Sequence, residues 1–335
     1  MQLARQNKRV QRAEAKVGKN SFTFRQQLLR EMADAGGSYP IPVIDMQDFP
    51  GESAKLIKAC EEWGCFRIVN FQGVLPESLM LEMKGVMGSL LELPREIKMR
   101  NRDVIAGSGY MAPSQINPLY EALGLYDMAS TPSVDDFCSN LEATPHQRAT
   151  ITRYAKAVHE LIMDIGCKIG EGLGLRDVPF KNWPCQFRIN KYPFTPETIG
   201  SDGLRTHTDN GFLTIVQDDE LFGGLEVMRK PGEFVAVQPR PEALLVNFGD
   251  IATVWSNGRF YNVKHRVVCK QEGIRISVAT FLLGPKEAMV EAPPELVTPE
   301  NPRLFVPFGF EDFRKTRFYK HMNAGEALDL FRVKS

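Results

Sequence analysis

Two histidines and one aspartate have residue types and a spacing that could hold a metal ion. His207 and Asp209 are separated by one residue, so on an extended segment their side chains point to the same side. His265 lies far downstream, flanked at alternate positions by Val263 and Val267, which is the pattern of a strand with one buried face. Two imidazoles and one carboxylate suit Fe(II), and such a set leaves the remaining coordination positions open to reactants.

Arg275 and Ser277 follow soon after His265 and indicate an anion-binding site. On a strand, residues i and i+2 face the same side, so both side chains would enter one cavity. A buried guanidinium needs an anion, and its planar fork suits a carboxylate held through two hydrogen bonds. That anion could be a ligand or an internal aspartate or glutamate. Each residue alone also has a purely structural interpretation, but their joint occurrence in one β-rich region favours a ligand site.

A run of alternating polarity lies upstream of these residues. Its apolar members, Phe187 and Ile189, share one face, and the other face is polar, with Gln186, Arg188, Asn190 and Tyr192. A buried polar face costs free energy unless something polar occupies the cavity beside it. We therefore expect a ligand to bind next to this strand.

Seven of these residues together resemble the motifs of the plant-type 2-oxoglutarate- and Fe(II)-dependent dioxygenases: His207, Asp209, His265, Arg275, Ser277, Asn190 and Tyr192. The resemblance extends from about residue 41 to the C-terminus. It implies that the two histidines and the aspartate form the catalytic Fe(II) site. It also implies that Arg275 and Ser277 bind the far carboxylate of 2-oxoglutarate, with Tyr192 as an added hydroxyl donor and Asn190 nearby. O2 would be the oxidant, ascorbate the reductant, and succinate and CO2 the products.

Several longer runs resemble the auxin (indole-3-acetic acid) oxidase subgroup of that family, at residues 117–121, 183–188, 211–215 and 255–259. This resemblance implies oxidation of indole-3-acetic acid to 2-oxindole-3-acetic acid. Asn210 departs from the subgroup, in which a proline is expected after the His-Thr-Asp motif. Because asparagine adds hydrogen-bonding capacity where proline has none, the same chemistry on an alkaloid-like or phenolic plant metabolite is the alternative.

Four aromatic residues are candidates for the substrate side of the site. Phe281 would face inward, because it lies an even number of residues after Arg275. Phe212 is a weaker candidate, since it could belong to the core. Tyr110 and Tyr120 lie in a segment rich in Gly, Pro and aromatic residues, which could line the mouth of the site or have a structural role only.

Two other classes of function remain open at this point. A catalytically silent binding protein is one, because a single fold often hosts unrelated functions. The other is an oxidase that uses the metal without 2-oxoglutarate. A complete set of metal and carboxylate-binding residues argues against a binder, and succinate production would separate the two enzyme classes.

The pattern of elements predicts a mainly β fold with flanking helices, in which a double-stranded β-helix (jelly roll) is packed by N-terminal and C-terminal helices. Short strands with turn signals run from about residue 186 to 283, and Asn257-Gly258 is typical of a type I′ hairpin turn. Periodicity predicts helices over residues 53–63, 76–91, 144–174 and 311–331, with a short helix after Pro94.

The expected organisation has four parts. They are a basic N-terminal extension (1–38), an N-terminal α/β region (39–180), the jelly-roll core (181–285) and a C-terminal helical region (286–335). Up to residue 30 the extension carries eight basic residues and one acidic residue. It could be an organelle presequence, but the serine enrichment of transit peptides is missing, so a solvated basic tail or helix is favoured.

Composition narrows the class of protein further. The 335 residues carry 41 basic and 41 acidic side chains, so nothing in the net charge suggests a nucleic acid or an anionic membrane as partner. No apolar run is long enough for a transmembrane helix. The six cysteines lack CxxC spacing and are interpreted as reduced thiols of a cytoplasmic protein. We expect a small-molecule substrate, and the oligomeric state is left open.

Overall fold

The computed structural model describes residues 41–334. Within that range there are seven α-helices: α1 (Ser53–Glu62), α2 (Glu77–Leu91), α3 (Arg95–Lys98), α4 (Thr131–Asn140), α5 (Pro145–Gly172), α6 (Asp250–Trp255) and α7 (Phe310–Tyr319). The predicted basic extension lies outside the described residues. Within the described range, no helix is both long and apolar enough to cross a membrane.

The same residues form thirteen strands: β1 (Val43–Asp45), β2 (Cys65–Val69), β3 (Glu121–Leu125), β4 (Cys185–Phe194), β5 (Asp202–His207), β6 (Leu213–Gln217), β7 (Leu225–Lys230), β8 (Glu233–Ala236), β9 (Leu244–Phe248), β10 (His265–Val268), β11 (Gly273–Leu282), β12 (Met289–Val290) and β13 (Phe308–Gly309). A seven-stranded sheet has the order β1-β2-β9-β6-β11-β4-β3, and a four-stranded sheet has the order β5-β10-β7-β8. Two sheets flanked by helices confirm the predicted jelly-roll fold.

The larger sheet has one apolar and one polar face because β4 and β11 alternate in polarity. Phe187 and Ile189 of β4 are fully buried in the hydrophobic core. The intervening polar residues of β4 pair with β11 in antiparallel register, so that Tyr192 lies opposite Arg275 and Asn190 opposite Ser277. The helices cover the apolar face, with α2 and α5 packed against each other and α2 also against β11. The polar face is left to line a cavity.

The longest helix begins where the sequence predicts it. Thr144 caps α5 by accepting a hydrogen bond from the Gln147 backbone N–H at 3.2 Å, and the Gln147 side chain accepts one from the Thr144 N–H at 2.8 Å. This reciprocal pair satisfies two N–H groups that the helix itself leaves without partners. Leu161, Ile165 and Ile169 form the buried stripe that anchors α5 to the core.

One hydrophobic core contains residues from each of the three predicted regions that the structure describes. Its centre is a cluster of aromatic rings. Phe212 lies with its ring centroid 4.5 Å from that of Phe180, 5.2 Å from that of Trp255 and 5.9 Å from that of Trp183. The predicted boundaries between regions therefore do not separate independent hydrophobic cores.

The predicted hairpin at Asn257-Gly258 is wrong. Both residues have positive φ angles (50° and 83°), as a type I′ turn requires, but the preceding segment is helix α6. A left-handed conformation also ends helices, so the dipeptide alone does not distinguish the two structures. Helix α4 was not predicted either.

Candidate active site

Strands β5 and β10 bring the two motif histidines together. His207 ends β5, His265 begins β10, and the two residues are direct partners in the antiparallel register, with ring centroids 4.2 Å apart. Asp209 Oδ1 lies 3.9 Å from His207 Nε2 and 3.6 Å from His265 Nε2. One ligand atom from each residue lies within 4.8 Å of the others, which is close enough for all three to contact a single ion. The geometry therefore fits a metal bound on one side by the protein.

Hydrogen bonds to the remaining atoms orient these three side chains. His207 Nδ1 lies 2.8 Å from the Arg205 carbonyl oxygen, and His265 Nδ1 lies 3.3 Å from that of Val263. When each Nδ1 donates its proton to the carbonyl, each Nε2 keeps a lone pair for a metal. Backbone acceptors of this kind are the usual partners of metal-ligating imidazoles.

Two residues that the sequence did not single out hold the carboxylate. Asp209 Oδ2 accepts hydrogen bonds from Thr214 Oγ1 at 2.6 Å and from Asn247 Nδ2 at 2.7 Å, so Oδ1 is left facing the histidines. Thr214 lies on β6 and Asn247 on β9, which are neighbours in the larger sheet. The signal in the sequence that could have identified Asn247 is its position as a polar residue within the apolar run of β9.

The charge states of these groups also suit metal ligation. Burial, together with the proximity of the His265 imidazole, lowers the pKa of His207 to about 3. Burial opposes ionisation of Asp209, but His265, His207 and the two donated hydrogen bonds hold its pKa below the usual value. At neutral pH the protein therefore presents His207 as a neutral imidazole and Asp209 as a carboxylate, the forms that bind metals.

Arg275 lies at one end of the same cavity and is only 1% exposed. One of its nitrogens, Nη2, donates to Asp218, and its guanidinium lies 5.0 Å from the centre of the Tyr192 ring. Its Nε and Nη1 atoms are buried without a hydrogen-bond partner. Buried donors are rarely left unpaired. The sequence left open whether the anion beside Arg275 is an internal acid or a ligand, and the structure leaves room for both. An internal acid accepts a hydrogen bond from one nitrogen, and the two other nitrogens, which have no partner within the protein, are left for a ligand carboxylate.

Asp218 is the internal acid that was not identified from the sequence. Burial raises its pKa despite the opposing charge of Arg275. Its Oδ2 atom is also buried without a partner. Asp218 therefore neutralises part of the guanidinium charge without using the rest of the fork.

The cavity has a volume of about 690 Å³, within the range typical of small-molecule sites. It brings together nine of the residues predicted to form the site, together with Asn210: His207, Asp209, His265, Arg275, Ser277, Asn190, Tyr192, Tyr120 and Phe281. Tyr120 donates a 2.9 Å hydrogen bond to Asn190 Oδ1, and its ring centroid lies 5.4 Å from that of Tyr192. The predicted polar face of β4 therefore lines a cavity, as its alternation indicated.

Two predicted substrate-side residues lie elsewhere. Phe212, which directly precedes β6, packs against the rings of the aromatic cluster. It is fully buried there and does not line the cavity. Tyr110 donates a 2.6 Å hydrogen bond to Glu121. Its neighbour Met111 lines the cavity and bridges to Ala122, so the alternation of side chains directs Tyr110 to the other side. Neither residue belongs to the substrate side of the cavity.

The C-terminal region contributes residues that sequence reasoning missed. Arg314, Arg317 and Phe318 of α7 and His321 after it line the cavity. His321 had been set aside for lack of a metal-ligating partner, and the structure places it at the cavity but outside the metal cluster. Their proximity to the site depends on the packing of α7 and has no signature in local sequence.

Arg317 connects α7 to the residue between the two ligands of the His-Thr-Asp motif. It donates to Asp250, to Thr208 Oγ1 at 2.8 Å, to the Thr208 carbonyl oxygen and to the Asn323 carbonyl oxygen at 2.8 Å. Asp250 Oδ1 in turn accepts hydrogen bonds from Thr208 Oγ1 and Asn262 Nδ2, at 2.8 and 2.6 Å. The pair is buried, and it holds Thr208 in place between His207 and Asp209.

Replacing Arg317 with methionine is expected to lower the free energy of unfolding by about 3–5 kcal/mol, because it leaves Asp250 as an unpaired buried charge. Urea unfolding followed by circular dichroism measures the change. The double variant Arg317→Met/Asp250→Asn removes both charges and should recover part of the loss. A loss below about 1 kcal/mol, the value typical of an exposed pair, would contradict a structural role for this ion pair.

A jelly roll with a cluster of two histidines and one carboxylate, and a buried arginine with free donors in the same cavity, defines the class of 2-oxoglutarate- and Fe(II)-dependent oxygenases. Family comparison agrees: residues 183–284 match the 2OG-Fe(II) oxygenase superfamily, and residues 41–129 match the non-haem dioxygenase in morphine synthesis N-terminal family. The chain belongs to the 2OG-Fe(II) oxygenase superfamily. It is a 2-oxoglutarate-dependent dioxygenase, an oxidoreductase that uses Fe(II) and 2-oxoglutarate.

Individual relatives narrow the comparison. The 2-oxoglutarate-dependent dioxygenase DAO of Oryza sativa is 48% identical over 294 residues, covering 86% of this chain and 97% of the relative. A crystal structure of the dioxygenase for auxin oxidation in rice superposes with a TM-score of 0.80 at 46% identity, over 88% of this chain and 100% of that chain. The dioxygenase for auxin oxidation 1 from Arabidopsis thaliana, in a binary complex with 2-oxoglutarate, superposes with a TM-score of 0.75 at 51% identity, over 78% of this chain and 100% of that chain.

Proposed function

We propose that this dioxygenase oxidises indole-3-acetic acid to 2-oxindole-3-acetic acid. The observation that carries the proposal is the 48% identity to the rice relative, which extends over 97% of that protein. The solved structures of two auxin-oxidising dioxygenases, at 46% and 51% identity, support it. A second support is the cavity itself, which joins a metal cluster, a carboxylate-binding end and apolar walls.

In this proposal His207, Asp209 and His265 hold Fe(II), and Asp209 is the one anionic ligand among them. The bound metal supplies O2 activation coupled to oxidative decarboxylation of 2-oxoglutarate, with ascorbate as the reductant. Thr214 and Asn247 keep the Asp209 carboxylate in the orientation that ligation needs. Arg317, through Thr208, sets the backbone between the two ligands of the motif.

Arg275 and Ser277 bind the far carboxylate of 2-oxoglutarate. Nε and Nη1 of Arg275 have no partner within the protein, so these donors are left for that carboxylate. The Tyr192 ring lies against the guanidinium and excludes water from it, and Tyr120 holds Asn190 beside Ser277 through its hydrogen bond. These contacts leave the arginine in one orientation before the ligand arrives.

The organic substrate binds against the apolar part of the wall. Phe281 and Val216 line the cavity from β11 and β6, and Ile116 and Phe318 contribute to the same lining from a loop and from α7. A flat indole ring needs apolar contacts of this kind. Of the predicted substrate-side aromatics Phe281 and Phe212, Phe281 lines this cavity.

Incubation with indole-3-acetic acid, Fe(II), ascorbate and 2-oxoglutarate should give a product heavier by one oxygen atom. Succinate should accumulate in proportion to product, because one 2-oxoglutarate is consumed per oxygen atom inserted. Mass spectrometry measures both. If succinate forms no faster with the indole acid than without it, the auxin substrate is wrong, while the dioxygenase class is unaffected.

Asn210 favours one alternative substrate class. It lines the cavity next to Asp209, and its amide offers hydrogen bonds that a proline ring could not. A more polar aromatic metabolite, alkaloid-like or phenolic, would use that capacity. Assays of the unmodified protein and of Asn210→Pro with indole-3-acetic acid distinguish the two substrate classes. Asn210→Pro should raise the turnover of indole-3-acetic acid only if Asn210 selects against that substrate.

A further inference from the structure

Two buried arginines lie in the cavity at a distance from the predicted 2-oxoglutarate end. Arg188 of β4 is 7% exposed and Arg314 of α7 is 5% exposed, and both line the cavity. Arg314 donates from Nε to the Ala106 carbonyl oxygen at 2.6 Å and from Nη2 to Gln186 Oε1 at 3.3 Å. Arg188 donates to the carbonyl oxygens of Gly107 and, at 3.3 Å, Gly109. All of these acceptors are neutral.

The pair therefore carries uncompensated positive charge. Within residues 41–334 neither guanidinium forms an ion pair with an aspartate or glutamate. Burial and the neighbouring charge of Arg188 lower the pKa of Arg314 to about 9, and the charge of Asp103 opposes this only in part. Buried charges are normally paired. Two buried cations that line a cavity without an ion-pair partner are an arrangement that an anionic ligand would complete.

Arg275 and Arg188 occupy well-separated positions along β11 and β4. Arg275 lies opposite Tyr192 in the β4–β11 register, and Ala279 lies opposite Arg188, four residues further along β11. At about 3.4 Å per residue, the two positions are roughly 14 Å apart along the strand. The four carbon–carbon bonds of 2-oxoglutarate, about 1.5 Å each, keep its carboxyl carbons within about 6 Å of each other. The backbone positions of Arg275 and Arg188 are therefore separated by more than the length of 2-oxoglutarate.

We propose that Arg188 and Arg314 bind the carboxylate of the organic substrate, so that the enzyme acts on small aromatic acids and discriminates against their neutral analogues. This inference rests on the proposed function and deepens it, because it assigns the residues that recognise the substrate class. The small side chain of Ala279, which also lines the cavity, leaves space beside Arg188 for the carboxylate. The ring of the acid then extends towards the cluster of His207, Asp209 and His265.

The test compares indole-3-acetate with indole-3-acetamide, which has the same shape without the charge. In the full-length protein, Arg314→Met should raise KM for the acid about 10- to 100-fold, the effect of losing a hydrogen bond to a charged group. KM for 2-oxoglutarate should change less than about twofold, because 2-oxoglutarate binds at the Arg275 end. KM for the amide should rise less than KM for the acid, because a neutral group forms a weaker hydrogen bond with a guanidinium than a carboxylate does. Arg188→Met should act in the same direction, and Arg314→Lys should restore part of the affinity for the acid by keeping the charge.

Lys315→Met is the matched control. Lys315 is adjacent to Arg314 on α7, but its side chain is half exposed and pairs with Glu311 at 3.1 Å. This substitution removes the same charge without reaching the cavity, so KM for the acid should stay unchanged. An increase similar to that of Arg314→Met would show that net charge, and not a defined site, governs the affinity.

Binding without turnover separates this inference from the auxin proposal. Under anaerobic conditions with Fe(II) and 2-oxoglutarate, each ligand should raise the melting temperature according to its affinity. Aromatic acids should stabilise the protein more than their amides, even if the auxin itself is not oxidised. Equal stabilisation by acid and amide in the unmodified protein, or equal losses for both in Arg314→Met, would overturn the assignment. If Arg314→Met does not fold, the comparison in the unmodified protein and in Arg188→Met decides the outcome.

Discussion

Replacing Asp209 with alanine is expected to abolish substrate oxidation and Fe(II) binding while the chain still folds. Asp209 would be the one anionic ligand, and its removal leaves two neutral imidazoles to hold a dication. A catalytic metal supplies several kcal/mol of the barrier reduction, so its loss corresponds to a rate about a thousandfold lower or more. Succinate formation and Fe(II) binding by equilibrium dialysis measure the two effects.

The fold should survive at a measurable cost. Asp209→Ala leaves the side-chain donors of Thr214 and Asn247 without an acceptor, which costs about 1–3 kcal/mol for each buried group. Asp209→Asn keeps an acceptor oxygen and removes the charge, so it should fold better and remain inactive. Asn247→Ala is the milder comparison, because loss of an outer hydrogen bond to a ligand lowers metal affinity about 10- to 100-fold. Retention of full activity in Asp209→Ala would refute the metal assignment.

Replacing Arg275 with lysine should weaken the apparent affinity for 2-oxoglutarate while the maximum rate is less affected. Lysine keeps a positive charge for Asp218, but it lacks the additional guanidinium donors that Arg275 retains for a carboxylate. Hydrogen bonds to charged groups contribute about 1.5–3 kcal/mol, which is about 10- to 150-fold in KM for 2-oxoglutarate. The dependence of succinate production on 2-oxoglutarate concentration measures it.

Arg275→Gln separates ligand binding from stability when it is combined with a change at Asp218. Alone, it leaves Asp218 as an unpaired buried carboxylate and should destabilise the protein by about 3–5 kcal/mol. Arg275→Gln/Asp218→Asn removes both charges, so it should restore stability without restoring 2-oxoglutarate affinity. If 2-oxoglutarate dependence is unchanged in both Arg275→Lys and the double variant, another cation binds the carboxylate.

The partial use of the Arg275 fork explains how the site tolerates a buried arginine before its ligand arrives. Asp218 compensates the charge through Nη2, while Nε and Nη1 have no partner within the protein. A fully paired arginine would have to break hydrogen bonds to bind a ligand, and an unpaired one would be costly to bury. The arrangement lies between these two limits, which suits reversible binding of a co-substrate.

Short-range patterns in the sequence determined the faces of the core strands. Alternation along β4 and β11 placed Asn190, Tyr192, Arg275 and Ser277 on one face, because successive side chains on a strand point to opposite sides. The spacing of His207 and Asp209 likewise predicted that both would point to one place. The capping pair at Thr144 and Gln147 located the start of α5 for a similar reason, since a cap depends only on residues within one helical turn.

What these faces contact was decided by tertiary structure alone. The acid that pairs with Arg275, the amide of Asn247 that holds Asp209 and the arginines of α7 come from segments far apart in the chain. Periodicity shows which side chains share a face but not which element packs opposite that face. Phe212 and Tyr110 illustrate the same limit, because an aromatic residue near a motif packs in a core as readily as in a site, and its surroundings depend on contacts that only the folded chain makes.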